Sequence, residues 1–272
     1  VSPESGTGER EAALGPLAAL RAEPARAAIL TDVDGTLAPI VGRPEQAEVP
    51  RGATEALRRL SERYGLVACI SGRRAEEARR LVGVEGIAYA GNHGLELLMP
   101  GMGSPQLDPS LAGRESAAVE FLAGLDAGAL AEVGLRTEDK GPIQALHWRG
   151  AEEGPAEAGA AEIAAAAERA GLATHWGRKI LELRPAVSIG KDVAIGALLS
   201  GSGIATAAYA GDDRTDVDAF RRLRELREAG ELETAVCVGV ASPEAPPGLV
   251  EGADMMVAGP QGWLALLEAL AA

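Results

Sequence analysis

The chain has 272 residues, enough for one large α/β domain or for a core interrupted by a second module. Its composition, 47% hydrophobic and 24% charged, is that of an ordinary globular protein, and no run approaches the ~18 uninterrupted apolar residues of a spanning helix, which excludes a membrane protein. The 26 basic against 40 acidic residues leave a formal charge of −14 and no basic stripe, which argues against nucleic acid as a partner.

Residues 1–25 open with VSPESGTGERE, acidic where a secretory signal would be basic, and are expected to form a disordered leader. From residue 26 short apolar runs alternate with amphipathic stretches, the pattern of a parallel sheet wrapped by helices. AAILTDVDG is the first strand, followed by a helix over 53–63, a strand over 66–70, a helix over 75–81 and a strand over 87–90. The rhythm then breaks. Between about 100 and 185 the spacing predicts a helix near 114–125, strands near 133–138 and 143–149, an alanine-rich helix near 156–170, and strands near 172–176 and 179–184. Alternation resumes with a helix from Lys191, a strand over 205–211, a helix over 217–228, a strand over 234–240, a short strand near Met255 and a terminal helix from Gly262. The expected organisation is a core domain of residues 26–100 and 186–272 with an α+β insertion at 101–185. Cys69 and Cys237 lie in apolar runs without metal or redox spacing, as expected of packed thiols in a reducing cytoplasm. The runs RRAEEARR and RRLRELREAGE read as solvated helix faces.

Two acidic clusters carry the chemical signal. In TDVDGTL a strand delivers Asp32 and Asp34 into a glycine turn, at the strand end where open α/β sheets collect their ligands. A plain turn uses the same residue types. In AGDDRTDVD another strand ends in Asp212 and Asp213, with Asp216 and Asp218 in the helix that follows. Such crowded carboxylates repel one another unless a cation compensates, and all-oxygen ligation suits Mg²⁺. Asp212 is the better ligand candidate, whereas Asp218 decorates the helix start. Ser71 and Gly72 end a strand and open a helix, an arrangement that serves either an anion or an ordinary N-cap. Lys191 opens a helix, where the dipole disfavours a cation unless an anion lies nearby.

Asp32/Asp34, Ser71, Lys191 and Asp212/Asp213, in this order, resemble the four motifs of the haloacid dehalogenase superfamily. Within it, DVDGTLAPI, ISGR, GNHGLE (Gly91 to Glu96), the EDK…HWR pair (Glu138 to Arg149), ELRP (Glu182 to Pro185) and GDDRTDVDAF resemble the trehalose-6-phosphate phosphatase family over residues 28–265. The resemblance implies a Rossmann-like core with an inserted C2-type α+β cap, and hydrolysis of a small-molecule sugar phosphate. It further implies Asp32 as nucleophile, Asp34 as acid and base, Ser71, Gly72 and Lys191 on the phosphate, and Mg²⁺ held by Asp32, the Asp34 carbonyl and Asp212. Asp213 and Asp216 would support the metal ligands, and Asn92, Glu138, Lys140, Arg149 and Glu182 would contact the sugar. His93 and His147 read as structural hydrogen-bonders and Trp148 as packing. Two departures stand out: Asp192 follows Lys191 where glycine is usual and is expected to cap the helix, and Val217 replaces a common acid. Another glycosyl or cyclitol phosphate as substrate, a phosphotransferase or mutase, and a catalytically silent sugar-phosphate module stay open as alternatives. Oligomeric state leaves no mark in the sequence, with a monomer as the default.

Overall fold

A computed structural model describes residues 14–41, 44–177, 179–242 and 245–272. The chain divides into two compact units, Val1–Gln106 with Ile189–Ala272, and Leu107–Ser188.

The larger unit is built on β1 (Ala27–Asp32), β2 (Leu66–Ile70), β3 (Ala88–Gly91), β4 (Glu96–Leu98), β5 (Gln106–Leu107), β10 (Thr206–Gly211), β11 (Thr234–Val240) and β12 (Met255–Val257). They form one sheet in the order β12-β11-β10-β1-β2-β3-β4-β5. Every pair from β12 to β3 is parallel, and β4 runs antiparallel to β3. All six residues of β1 are buried, because helices cover both faces of a parallel sheet. Alternation along the strand then sends side chains to two different layers. Ile29, Cys69, Tyr89 and Val236 pack with α1 (Arg51–Ser61), α2 (Ala75–Val82) and the terminal helix α9 (Gly259–Ala271). Leu30, Ile70, Tyr209 and Cys237 pack on the other side with α6 (Lys191–Leu199), α7 (Arg214–Glu228) and the short α8 (Pro247–Gly252). In α1 the buried residues are Ala53, Ala56, Leu57 and Leu60, the 3–4 spacing of one helix face. Trp263 of α9 is fully buried and its indole N–H donates to Thr31 Oγ1 at 3.0 Å, which ties the C-terminal helix to the central strand.

The expected disordered leader needs correction from Leu14 onward; residues 1–13 lie outside the described residues. Gly15–Arg21 is a 3₁₀ helix whose Leu17 and Leu20, with Leu14 before it, are fully buried in the first layer. Two helices also start earlier than expected. The terminal helix begins at Gly259, with Pro260 in its first turn. α7 begins at Arg214, because Asp213 and Asp216 close a capping box around its first turn.

The smaller unit holds a four-stranded antiparallel sheet in the order β6-β7-β9-β8, from β6 (Arg136–Lys140), β7 (Ile143–His147), β8 (Ala173–Gly177) and β9 (Ile180–Arg184). The helix expected near 114–125 is α3 (Ala117–Ala123), and a further, unexpected helix α4 (Ala127–Glu132) follows it, started by Asp126, which accepts from Gly128 and Ala129 N–H. α5 (Glu153–Arg169) lays Ala156, Ala160, Ala164 and Ala167 against Leu146, Leu181 and Leu183, with Trp148 in the same cluster. Alanines let the helix approach the sheet closely. The opposite sheet face carries charge instead: Glu138, Ala145, Glu182 and His175 share one cross-strand row, with Lys140 two residues from Glu138 and Arg184 two residues from Glu182. Among the described residues no helix is long and apolar enough to cross a membrane.

Candidate active site

β1 lies between β10 and β2, so the strand order reverses beside it, the place where open α/β sheets bind their ligands at the carboxyl ends of the strands. The register sets Asp32 opposite Ile70, and Thr31 opposite Ala210, so Asp32, Ser71 and Asp212 leave three adjacent strands at one edge. Gly35, with φ +93°, makes the turn after Asp34. A Cβ there would lie 2.2 Å from Asp212 Oδ2, so only glycine lets the two acidic segments come together.

Lys191 is the centre of this cluster. Its buried ammonium lies 2.9 Å from Asp32 Oδ1, 2.6 Å from Asp216 Oδ1 and 3.7 Å from Asp213 Oδ1. Burial alone would strip its proton, but Asp216 and Asp32 prevail and hold Lys191 well above the usual lysine range. Asp192 does not compete for it, nor does it cap the helix as expected. The N-cap position belongs to Gly190, which makes no side-chain cap bond, and the Asp192 carboxylate lies 4.0 Å from Arg221. Val217 contributes packing beside α7's buried face, and Asp218 is an exposed partner of Arg221 at 2.7 Å.

Asp32, Asp212 and Asp216 each bring a carboxylate oxygen within 4.8 Å of the others, all buried. Asp216 is already fully engaged. Its Oδ1 accepts from Lys191 Nζ and the Tyr209 hydroxyl, and its Oδ2 from the Asp212 and Asp213 N–H groups at 2.8 and 2.9 Å. Asp213 caps α7, accepting from Thr215 and Asp216, and although it is partly desolvated in the cluster, Lys191 and these bonds hold it down at about 2. Asp212 accepts only the Thr36 hydroxyl at its side chain among the described bonds, and burial with Asp216 and Asp213 nearby pushes it up to about 7. Burial likewise raises Asp32 well above the carboxylate range despite Lys191. Asp32, Asp213 and Asp216 lie within 4 Å of the one ammonium, with Asp212 beside them; of the three carboxyls held above the usual range, Asp216 is taken up by its four donors, which leaves Asp32 and Asp212 for a ligand. That donor set fits a hard divalent cation on Asp32 and Asp212, with Asp216 as the group that fixes Lys191 and the intervening backbone.

Ser71 is buried, and its Oγ accepts the Arg73 N–H at 3.1 Å. A Cβ at Gly72 would sit 2.7 Å from His93 Nε2, so this turn is flush against the imidazole. Asn92, expected on the sugar, has a different place: it is fully buried and its amide donates to Glu96 Oε1 at 2.9 Å, while Glu96 Oε2 accepts the Ala75 N–H that opens α2. Arg73 was not among the expected site residues. Its guanidinium clasps Asp34 at both oxygens, 2.7 and 2.8 Å.

In the smaller unit, Glu182 is buried and accepts Lys140 Nζ at 3.0 Å on Oε1 and Arg184 on Oε2, a pairing of Lys140 with Glu182 and Arg184 that the sequence reading did not include. Glu138 pairs with His147 at 2.5 Å, and this hydrogen bond is the main reason its carboxyl is held below the usual range. Arg149 lies two residues beyond β7, outside this strand row, exposed, with its carbonyl accepting from Arg136. The ELRP motif held the signal for Arg184; nothing local marked His147 as the Glu138 partner beyond the strand alternation.

The family model of trehalose-phosphatases matches residues 30–245. A trehalose-phosphate phosphatase of Mycobacterium avium (strain 104) is 38% identical over 207 residues, covering 72% of this chain and 51% of the relative. One of Mycobacterium bovis (strain BCG / Pasteur 1173P2) is 36% identical over 201 residues, covering 71% and 50%. The chain thus spans about half the length of these curated relatives. In fold it is similar to the C-terminal domain of a Candida albicans trehalose-6-phosphate phosphatase, with TM-score 0.74 at 21% identity over 96% of both chains. A trehalose-6-phosphate phosphatase related protein gives 0.69 at 24% identity over 89% of this chain and 95% of that one. A family match over most of the chain, on strand ends that gather Asp32, Ser71 and Asp212 at one edge beside Lys191, means that the chain belongs to the trehalose-phosphatase family.

Proposed function

We propose that this chain is a Mg²⁺-dependent phosphatase that converts trehalose 6-phosphate to trehalose and phosphate through an aspartyl-phosphate on Asp32. The observation that carries the reading is the buried pairing of Asp32 with Lys191 at 2.9 Å, beside the raised carboxyl of Asp212, at the reversal point of the sheet. Mg²⁺ on Asp32, the Asp34 carbonyl and Asp212 would neutralise the phosphoryl oxygens and offset repulsion between the nucleophile and its dianionic target. Asp32 attacks phosphorus as Asp34 gives a proton to the departing sugar oxygen; Asp34 then takes a proton from the water that attacks the aspartyl-phosphate. Ser71, the Gly72 backbone and Lys191 hold the transferring phosphoryl group, and Lys191 is itself held by Asp216. Residues 101–185 act as the cap that selects the sugar, through Glu138, Lys140, Arg149 and Glu182. Charged donors and acceptors such as these recognise hydroxyl patterns because an epimer leaves them unpaired.

Phosphate release from trehalose 6-phosphate, glucose 6-phosphate and other disaccharide phosphates, with Mg²⁺ or EDTA, tests the reading alongside Asp32→Asn. A metal-dependent preference for trehalose 6-phosphate that Asp32→Asn abolishes is the expected result. Equal turnover of the other phosphates would discard the substrate and keep the chemistry, and no turnover of any would discard both.

A further inference from the structure

We propose that Arg73 is the positioning residue of the acid–base carboxylate: its guanidinium fixes Asp34 in the orientation from which the proton is passed. This rests on the reading of Asp34 given above. Asp34 needs such help because its side chain is 40% exposed, in a turn that offers it little packing. A carboxylate in that position is free to sample several rotamers, and proton transfer tolerates little misplacement. Arg73 removes that freedom by two parallel bonds, Nε to Oδ2 at 2.7 Å and Nη2 to Oδ1 at 2.8 Å, which set both the position and the plane of the carboxylate. Each oxygen carries two lone pairs, so one on each remains for the proton in transfer.

The clamp is itself anchored. The Arg73 side chain is only 19% exposed, its N–H donates to Ser71 Oγ at 3.1 Å, and its carbonyl accepts the Asn92 N–H at 2.8 Å. Asn92 and His93 hold φ of +48° and +55°, a conformation unfavourable for both and maintained by the His93 N–H on the Ser71 carbonyl and the Gly190 N–H on the His93 carbonyl, each 3.0 Å. The strained turn thus joins Ser71, Arg73 and the residue preceding Lys191. Through it the acid–base carboxylate is tied mechanically to the groups proposed to hold phosphate. An ordinary surface ion pair has both partners exposed, whereas here the Arg73 side chain is mostly covered and its backbone is hydrogen-bonded on both sides.

The test compares wild type with Arg73→Gln, Arg73→Lys and Asp34→Asn in Mg²⁺, on trehalose 6-phosphate and on p-nitrophenyl phosphate, whose phenolate departs with little protonation. If Arg73 positions Asp34, Arg73→Gln lowers kcat on the sugar phosphate by about 10²-fold, within the range of general acid–base catalysis, with KM and melting temperature near wild type. The first-turnover burst of p-nitrophenol stays within a few fold of wild type. Arg73→Lys recovers only part of the loss, since one ammonium cannot set a plane, and adding Arg73→Gln to Asp34→Asn costs nothing further. A raised KM at unchanged kcat, an equal loss in the aryl phosphate burst, or a loss that follows the melting temperature would overturn the proposal. Asp34→Asn that loses no activity on the sugar phosphate would instead overturn the reading of Asp34, and the inference with it.

Discussion

Lys191 is buried among carboxylates, and the balance between them decides what its removal does. Lys191→Met takes the ammonium from Asp216 and Asp32 while leaving both inside the protein. Breaking one side of such a buried pair costs about 3–5 kcal/mol, so the variant should unfold at clearly lower urea as well as lose turnover, and an unchanged urea midpoint would contradict the buried network. The second consequence concerns Asp212. Burial and its acidic neighbours push its carboxyl up to about 7 from an ordinary 3.8, so it binds its proton more tightly in the folded chain. The sign follows: this group's contribution to stability is full below about 4 and is lost as pH rises through about 7, where the buried charge stands uncompensated. A cation displaces that proton. The rise in melting temperature on replacing EDTA by Mg²⁺ should therefore grow between pH 5.5 and 8.5, and a rise independent of pH would show that Asp212 is no ligand.

The element that departs most from expectation is the 3₁₀ helix Gly15–Arg21, and its packing makes a measurable claim. Leu14, Leu17 and Leu20 are fully buried beside Ile29 and Trp263. Leu17→Ala should cost about 2–5 kcal/mol, seen as a lowered urea midpoint with unchanged slope, whereas a dispensable leader would show no change. Their spacing of three matches three residues per turn, a period short enough to escape a search for α-helix or strand patterns. Other boundaries failed for related reasons. The start of α4 depends on Asp126 capping it, and six residues of α8 are too few to show a period. The parallel strands β1, β2, β3 and β10, in contrast, were legible because each is a short apolar run closed by Gly, Ser or Asp. For the same reason Asp32, Ser71 and Asp212 could be placed at strand ends from local sequence. Arg73, Thr36 and Tyr209 could not, because their partners lie 39, 176 and 7 residues away and only strand order brings the first two pairs together. Asn92 misled for the opposite reason: its motif is local, but its amide turns inward to Glu96.

At the scale of the whole molecule, the two units have separate interiors. The apolar residues clustered around β1 all come from Val1–Gln106 and Ile189–Ala272, and those around Leu146 and Leu181 all come from Leu107–Ser188. The groups proposed for phosphate and metal chemistry, Asp32, Asp34, Ser71, Lys191 and Asp212, belong to the first unit, while Glu138, Lys140, Arg149 and Glu182 belong to the second. Chemistry and selectivity should therefore be separable by surgery. Replacing Leu107–Ser188 with a flexible Gly/Ser linker adds only a loop-closure cost that grows slowly with length, and removes no residue from either core layer of the large sheet. The shortened chain should unfold cooperatively, keep its melting-temperature rise with Mg²⁺ and still release p-nitrophenol from p-nitrophenyl phosphate, with no preference for trehalose 6-phosphate. Retained preference would move substrate selection into the larger unit. Loss of the Mg²⁺ effect in a chain that still melts cooperatively would mean that the ligand set needs a residue from the insertion, beyond the buried carboxylates of Asp32 and Asp212.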